Sequence, residues 1–412
     1  MEKPDFSKLF SLPVVVAALG YFVDIYDLLL FSIVRIPSLQ TLGFEGQELL
    51  TKGTLLLEIQ MFGLLTGGIL WGILGDKKGR LSVLFGSILL YSLANLANGF
   101  VTSLPQYAIL RFIAGIGLAG ELGAGITLVA EILPARMRGY GTTLVASVGM
   151  FGAVMAYFTA DLFDWRVAYW VGGSLGLLLL IARVSVFESG VFMRLKERKI
   201  SRGNFMMLFN DPSRFKRFIG CILIGLPIWY VIGILITLSP EFGVALNYAD
   251  PIVAGKAVMF SYIGLALGDL SSGLLSQWFQ SRKKVVLFFI LLTFVFIILY
   301  FIIPVRTSTS FYFMSVLLGF GVGYWALFVT IAAEQFGTNL RATVATSVPN
   351  FIRGTVVPIT ESFKYLAIYV GIVYSALAIG VITIIIALIA LRTISETFAR
   401  DLNFIEGEDG KV

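Results

Sequence analysis

A chain of 412 residues that is 58% hydrophobic and 14% charged carries more apolar surface than one aqueous core buries, so a single soluble domain is excluded and a polytopic membrane protein is expected. The formal charge of +6 is spread between apolar runs rather than gathered on one face, which argues for membrane topology and against nucleic-acid binding. With no His, and with Cys221 alone inside an apolar run, imidazole chemistry, disulfides and cysteine metal sites are excluded, and any proton chemistry falls to Asp and Glu.

In chain order, Met1 to Ser11 is a short polar start without a small-residue cleavage site, so the first apolar run is expected to be retained. Apolar runs of about 20 residues, the length a helix needs to span a bilayer, lie near 12–36, 54–74, 81–100, 106–131, 140–160 and 166–187. Six more lie near 218–239, 256–277, 285–304, 310–333, 343–362 and 366–391. The expected fold is therefore an all-α membrane protein of twelve transmembrane helices in two pseudo-symmetric six-helix bundles. Residues 1–190 form the first bundle, 191–217 a cytoplasmic linker, 218–395 the second bundle and 396–412 a cytoplasmic tail. Arg194, Lys196, Arg198, Lys199 and Arg202 of the linker are read as a solvated basic surface helix. The acidic tail, with Glu406, Glu408 and Asp409, is expected to be disordered.

Twelve crossings place both termini on one side. Six basic residues then fall in the opposite loops (Arg35, Lys52, Arg166, Lys256, Arg306 and Lys364), three lie within spans (Arg111, Arg183 and Arg353), and the other 22 of 31 share the side of the termini. The positive-inside rule puts that side in the cytoplasm, with a bacterial inner membrane as the expected location.

The second half repeats the first. Ala130-Glu131 and Arg138 are echoed by Ala333-Glu334 and Arg341 at one offset of 203 residues. Gly72-Ile-Leu-Gly-Asp76-Lys-Lys-Gly79-Arg80 closes the second span, and Gly273 to Gln277 with Arg282-Lys-Lys repeats it 201 residues on, with Gln277 in place of the Asp. Gly72 is read as permitting a tight turn and Asp76 as meeting the next helix N-terminus.

These two stretches resemble the signatures of the major facilitator superfamily after its second and fourth helices. Gly20-Tyr-Phe-Val-Asp24-Ile-Tyr26-Asp27, the Arg111 to Gly125 stretch and Glu188-Ser-Gly-Val-Phe192 are similar to stretches of its metabolite:proton symporters. Here Asp24 stands for Glu, Ile25 for Trp, Ala119 for Gly and Gly190 for Pro, so the chain is identified as a divergent member. The resemblance implies a coupling role for Asp27 and Arg111, and a conformational switch at Gly72, Asp76, Gly79, Arg80, Glu131 and Arg138 with their echoes Glu334 and Arg341.

The residues carry their own argument. Charge at membrane depth costs about 2.5–3.5 kcal/mol on insertion scales and must face protein or water. Asp27 and Arg111 lie at depths that let them meet near the outer half of the membrane, and a movement of Arg111 away from Asp27 favours a proton there. The rival is a fixed ion pair. Asp24, three residues earlier on nearly the same helix face, is read as sharing a proton or a cation with Asp27. Glu121, about 15 Å below Arg111, is a second proton site or packs on a neighbouring helix. Arg353 sits near the midplane with Asn350 one turn before it and Pro349 and Pro358 around it. A cation there suggests an anionic or zwitterionic substrate group; the rival is an ion pair with Asp269 or Glu361. Tyr26, Trp229-Tyr230 and Tyr324-Trp325 are cavity walls or packing residues, and Glu58 is a gate candidate. Gly115-x-Gly117-x-x-Gly120 matches a dinucleotide fingerprint as text, but inside a span it reads as close helix packing, as do Gly68-x-x-x-Gly72 and Gly319-x-x-x-Gly323.

The expected function is proton-coupled uptake of a small organic acid or zwitterion by alternating access. No enzyme, cofactor or nucleic-acid partner is expected; substrate, protons and the lipid bilayer are the partners of a monomer. The alternatives are an exporter or uncoupled facilitator on the same fold, or a divalent metal carrier using Asp24, Asp27 and Glu121.

Overall fold

The computed structural model describes residues 9–187, except 79, 122–124, 126–128, 130–132 and 134–137, together with 205–398 and 406. Gly79, Glu131, the basic residues 194–202 and all of the tail from 399 on except Glu406 lie outside the described residues, as do the side chains of Asp76, Arg80 and Arg138.

The first half contains α1 (Leu12–Thr41), α2 (Gln47–Lys78), α3 (Arg80–Asn98), α4 (Leu104–Leu118), α5 (Arg138–Leu162) and α6 (Trp165–Phe187). The second half opens with α7 (Pro212–Ile224), α8 (Leu226–Tyr230), a π turn over Val231–Ile236 and α9 (Ser239–Ala245), one crossing broken at Gly225 and Pro227. It continues with α10 (Ala254–Trp278), α11 (Arg282–Ile302), α12 (Ser308–Gly321), α13 (Trp325–Glu334), α14 (Thr338–Gly354) and α15 (Val356–Thr393). No strand occurs among the described residues. The apolar stretch Thr343–Thr393, 51 residues, is about 76 Å long as a helix, twice what a bilayer needs. It is two crossings that part at Gly371, whose φ of 76° only glycine adopts without strain. With Ser82–Asn98 and Leu104–Leu118 as shorter apolar helices, twelve crossings result.

The pseudo-symmetry is visible in the packing. In the first half α2 lies on α4 and α3 on α6; in the second α10 lies on α12 and α11 on α15. The halves meet through α5 with α10 and through α14 with α2. Large apolar side chains such as Phe62, Phe151, Leu178 and Phe288 face outward, while Asn95, Arg111, Ser261 and Asn350 are buried, the inverse of a soluble protein and the arrangement lipid requires. Small residues set the close approaches: a side chain at Gly115 would run into the Gln60 carbonyl, at Gly117 into the Tyr91 backbone and at Gly319 into the Ser261 carbonyl. The packing reading of these glycines therefore stands.

Three boundaries differ from expectation. Gly72 makes no turn, because α2 runs through it to Lys78, and no described atom lies within 4 Å of a side chain placed there, whereas Gly68 abuts Asn350. The turn expected at 363–365 falls at Gly371. The tenth crossing breaks at Val322, Gly323 and Tyr324, between α12 and α13, where no proline announces it.

Beyond α15, Glu396 caps the start of α11. Its carboxylate accepts from Ser281 Oγ at 2.5 Å and from the backbone N–H of Arg282 at 3.0 Å and Lys283 at 3.2 Å. Burial raises its pKa, and these donors with the Phe398 N–H outweigh that and lower it to about 2. Being depressed, the group stabilises the fold above the ordinary carboxyl range, and that contribution is lost as pH falls from about 4.5 through 2. Melting curves of wild type and Glu396→Gln should therefore differ at pH 6 and draw together as pH falls from about 4.5 towards 2; a gap that does not narrow over that range would remove the cap from the account.

Candidate functional site

At the end of the bundle opposite the termini, two ion pairs join the halves. Arg35 Nη2 of α1 donates to both carboxylate oxygens of Glu241 of α9, at 2.6 and 2.9 Å. Lys364 of α15 binds Glu58 of α2 at 2.9 Å and Glu361 at 2.5 Å. Thus Glu58 takes part in a contact between the halves, and Glu361 belongs to Lys364 rather than to Arg353.

Within the first half, Arg111 Nη2 donates to Asn95 Oδ1 at 2.6 Å, and its guanidinium lies 4.9 Å from the Tyr169 ring centroid. Asp27 is fully buried against Gly172 of α6, and neither of its oxygens accepts a hydrogen bond among the described residues. Asp27 and Arg111 form no ion pair within 4 Å; Asn95 of α3, absent from the expected set, is the residue that holds Arg111. From this site a chain of hydroxyls runs from Tyr169 to Tyr107 at 2.7 Å and on to Ser38 Oγ at 3.3 Å.

Glu121 makes a bidentate pair with Arg183 of α6, Nη1 to Oε2 at 2.9 Å and Nη2 to Oε1, both residues buried. The complementary charge was present in the sequence as the third basic residue within a span. Asp24 and Asp27 do not converge either. Three residues turn a helix by about 300°, so the two side chains diverge by about 60°, which at this edge of α1 sends Asp27 into the first half and Asp24 across to the second. Asp24 Oδ2 faces Arg353 Nη2 at 3.6 Å. Two of the three carboxylates offered as metal ligands are thereby committed to guanidinium groups, and no carboxylate cluster fit for a metal occurs among the described residues.

Arg353 closes a narrow, nearly filled cavity at mid-depth, lined also by Tyr21, Ile25, Met150, Tyr262, Trp229 and Trp325. Trp229 and Trp325 meet edge to face at 6.3 Å, and the Arg353 guanidinium lies 5.9 and 5.7 Å from their ring centroids. Their neighbours turn away. Tyr230 donates to the Ala376 carbonyl at 2.6 Å, Tyr324 to Ile224 at 3.0 Å and Tyr26 to Ala168 at 2.8 Å, so these three tyrosines pack and do not line the cavity. Adjacent helical residues point about 100° apart, which is why at most one of each aromatic pair reaches the centre. Asn350 clasps the halves, donating to Ala119 O at 2.8 Å, and accepts weakly from Arg353 Nη1 at 3.4 Å. Pro349 is accommodated within α14; Pro358, just past the junction, has no N–H for the Gly354 carbonyl. Asp269 caps α13, accepting from the Ala326 N–H at 3.0 Å, and so steadies Trp325 rather than pairing with Arg353. Of the echoed signatures, Glu334 binds Arg282 at 2.7 Å, joining the two repeated stretches of the second half, and Arg341 Nη2 lies 3.5 Å from the Phe336 carbonyl.

Two bundles around a mid-depth cavity, with buried charges turned to protein, define a membrane carrier. The chain belongs to the Major Facilitator Superfamily, whose sequence profile matches residues 17–360, and it is a transporter of that family rather than an enzyme. It is similar to the probable 4-methylmuconolactone transporter of Cupriavidus pinatubonensis, 27% identical over 341 residues that cover 79% of this chain and 76% of that one. It is also similar to the niacin transporter NiaP of Acinetobacter baylyi, 34% identical over 138 residues that cover 32% of this chain and 31% of that one. The xylose transporter XylE from E. coli, in a partially occluded inward-open conformation, shares the fold with a TM-score of 0.72 at 17% identity, covering 96% of this chain and 100% of that one.

Proposed function

We propose that this chain takes up a small ring-bearing carboxylate together with a proton. The observation that carries the reading is Arg353 set beside a pair of indole rings at the cavity. A guanidinium matches a carboxylate in charge and fork geometry, and flanking aromatic faces suit a flat ring. The relatives named for 4-methylmuconolactone and niacin favour substrates of that class. Asp27 is the proton carrier in this reading: an unpartnered carboxylate in the interior is costly as an anion, and a proton removes that cost. Arg111, held by Asn95, is the group whose movement governs it. The units are bundles 1–190 and 218–395 rocking about the cavity, with the chain acting as a monomer in a bacterial inner membrane. The excess of basic residues on the terminal side supports both termini in the cytoplasm.

In liposomes carrying the full chain, an inward proton gradient should drive uptake of labelled nicotinate or benzoate. Arg353→Gln should lower it about 10- to 100-fold, the value of one charge-assisted contact. Undiminished uptake by that variant would sink the carboxylate site.

A further inference from the structure

Among the described residues three ion pairs hold a buried arginine, and they are unequal. Arg35 with Glu241 and Arg183 with Glu121 are bidentate and hydrogen-bonded. Arg353 with Asp24 is slack: 3.6 Å separates the charged atoms, beyond the 2.7–2.9 Å typical of a charge-assisted hydrogen bond, although both residues are at most 1% exposed. Neither oxygen of Asp24 accepts a hydrogen bond among the described residues. Nor do the Arg353 Nε–H or the indole N–H of Trp229 and Trp325 find an acceptor there. Buried donors of this strength are ordinarily satisfied, and four unsatisfied groups at one place call for an explanation.

Of the slack pair Arg353 lines the cavity, with Asp24 behind it, and the pair joins the halves, since Asp24 belongs to α1 and Arg353 to α14. Donors without acceptors suit a ligand that only accepts, as a carboxylate does. We infer that Asp24 is a built-in stand-in for the substrate carboxylate: it neutralises Arg353 while the cavity is empty, and the incoming carboxylate displaces it from the guanidinium. The inference rests on the carboxylate reading above and adds a specificity element to it. An uncharged ligand of the same shape gains nothing from displacing Asp24, so the cavity selects anions by exchange of one carboxylate for another. Asp24 thereby weakens substrate binding and keeps Arg353 from standing alone. A competitor held at 3.6 Å is displaced more readily than one in bidentate contact, which accounts for the looseness of this pair beside the other two.

The test is calorimetric titration of the purified full chain with nicotinate and, as the neutral isostere, nicotinamide. Asp24→Asn removes the competitor and should tighten nicotinate binding about tenfold, leaving nicotinamide unchanged. Asp24→Glu keeps the charge, and its extra methylene closes the gap to Arg353; it should weaken nicotinate binding several-fold and gives the opposite sign should the Asn variant not fold. Arg353→Gln should abolish the preference for the acid. If wild type binds nicotinate through Arg353 and neither Asp24 variant moves the affinity in the stated direction, the stand-in is overturned and the carboxylate site survives. If nicotinate binds no variant, or binds Arg353→Gln as well as wild type, the carboxylate reading falls and the stand-in falls with it.

Discussion

Arg183→Ala should be the most destabilising single change in the first half. It leaves the Glu121 carboxylate, 1% exposed, without its bidentate partner, and removing one member of a buried pair costs about 3–5 kcal/mol. Gly20 of α1 lies directly against both side chains, so there is no room for a compensating shift at that contact. Thermal unfolding of the purified protein should show a lowered midpoint for Arg183→Ala, partly restored in Glu121→Gln with Arg183→Gln, where neither group is charged. Glu121→Gln alone should retain proton-driven uptake, because a carboxylate fixed in this way has no free state to cycle through. A folded Glu121→Gln protein that no longer accumulates substrate would return Glu121 to the list of proton sites.

Asp27→Asn should abolish accumulation while leaving exchange. The amide imitates the protonated acid, so the carrier can still change conformation with substrate bound on either side. It can no longer release or collect a proton, so uptake driven by a proton gradient should fall to the equilibrium level, an accumulation ratio of about one. Counterflow, in which labelled substrate outside exchanges with unlabelled substrate inside, should continue. Asn95→Leu removes the acceptor at 2.6 Å that orients Arg111 and should impair the same step without touching a titrating group. Undiminished accumulation in Asp27→Asn would move the proton to another carboxylate, and Asp24 would be the first to examine.

The two halves and the twelve crossings were legible because a bilayer imposes a length and excludes charge, and both constraints are written in the order of residues. The deep charges Asp24, Asp27, Arg111, Glu121 and Arg353 were legible for the same reason. Their partners were not. Whether Arg353 meets Asp24, Asp269 or Glu361 depends on how α1 and α14 turn about their axes when the halves meet, and that rotation is set by small-residue packing such as Gly68 against Asn350 and Gly354 against Leu65. Arg35 offered even less, because a basic residue near a span end reads as a loop charge until α9 brings Glu241 to it. The break at Val322 to Tyr324 escaped because glycine permits irregular backbone without demanding it.

The paired indoles also make the carrier its own optical sensor. Of its six tryptophans, Trp71 is tied to the Ile116 carbonyl, Trp165 and Trp170 pack near the end opposite the termini, and Trp278 is largely exposed. Trp229 and Trp325 alone line the cavity, within 6 Å of a guanidinium. Indole emission shifts with the charge and polarity beside the ring, so a ligand entering the cavity should announce itself in the protein's own ultraviolet spectrum, with no label attached.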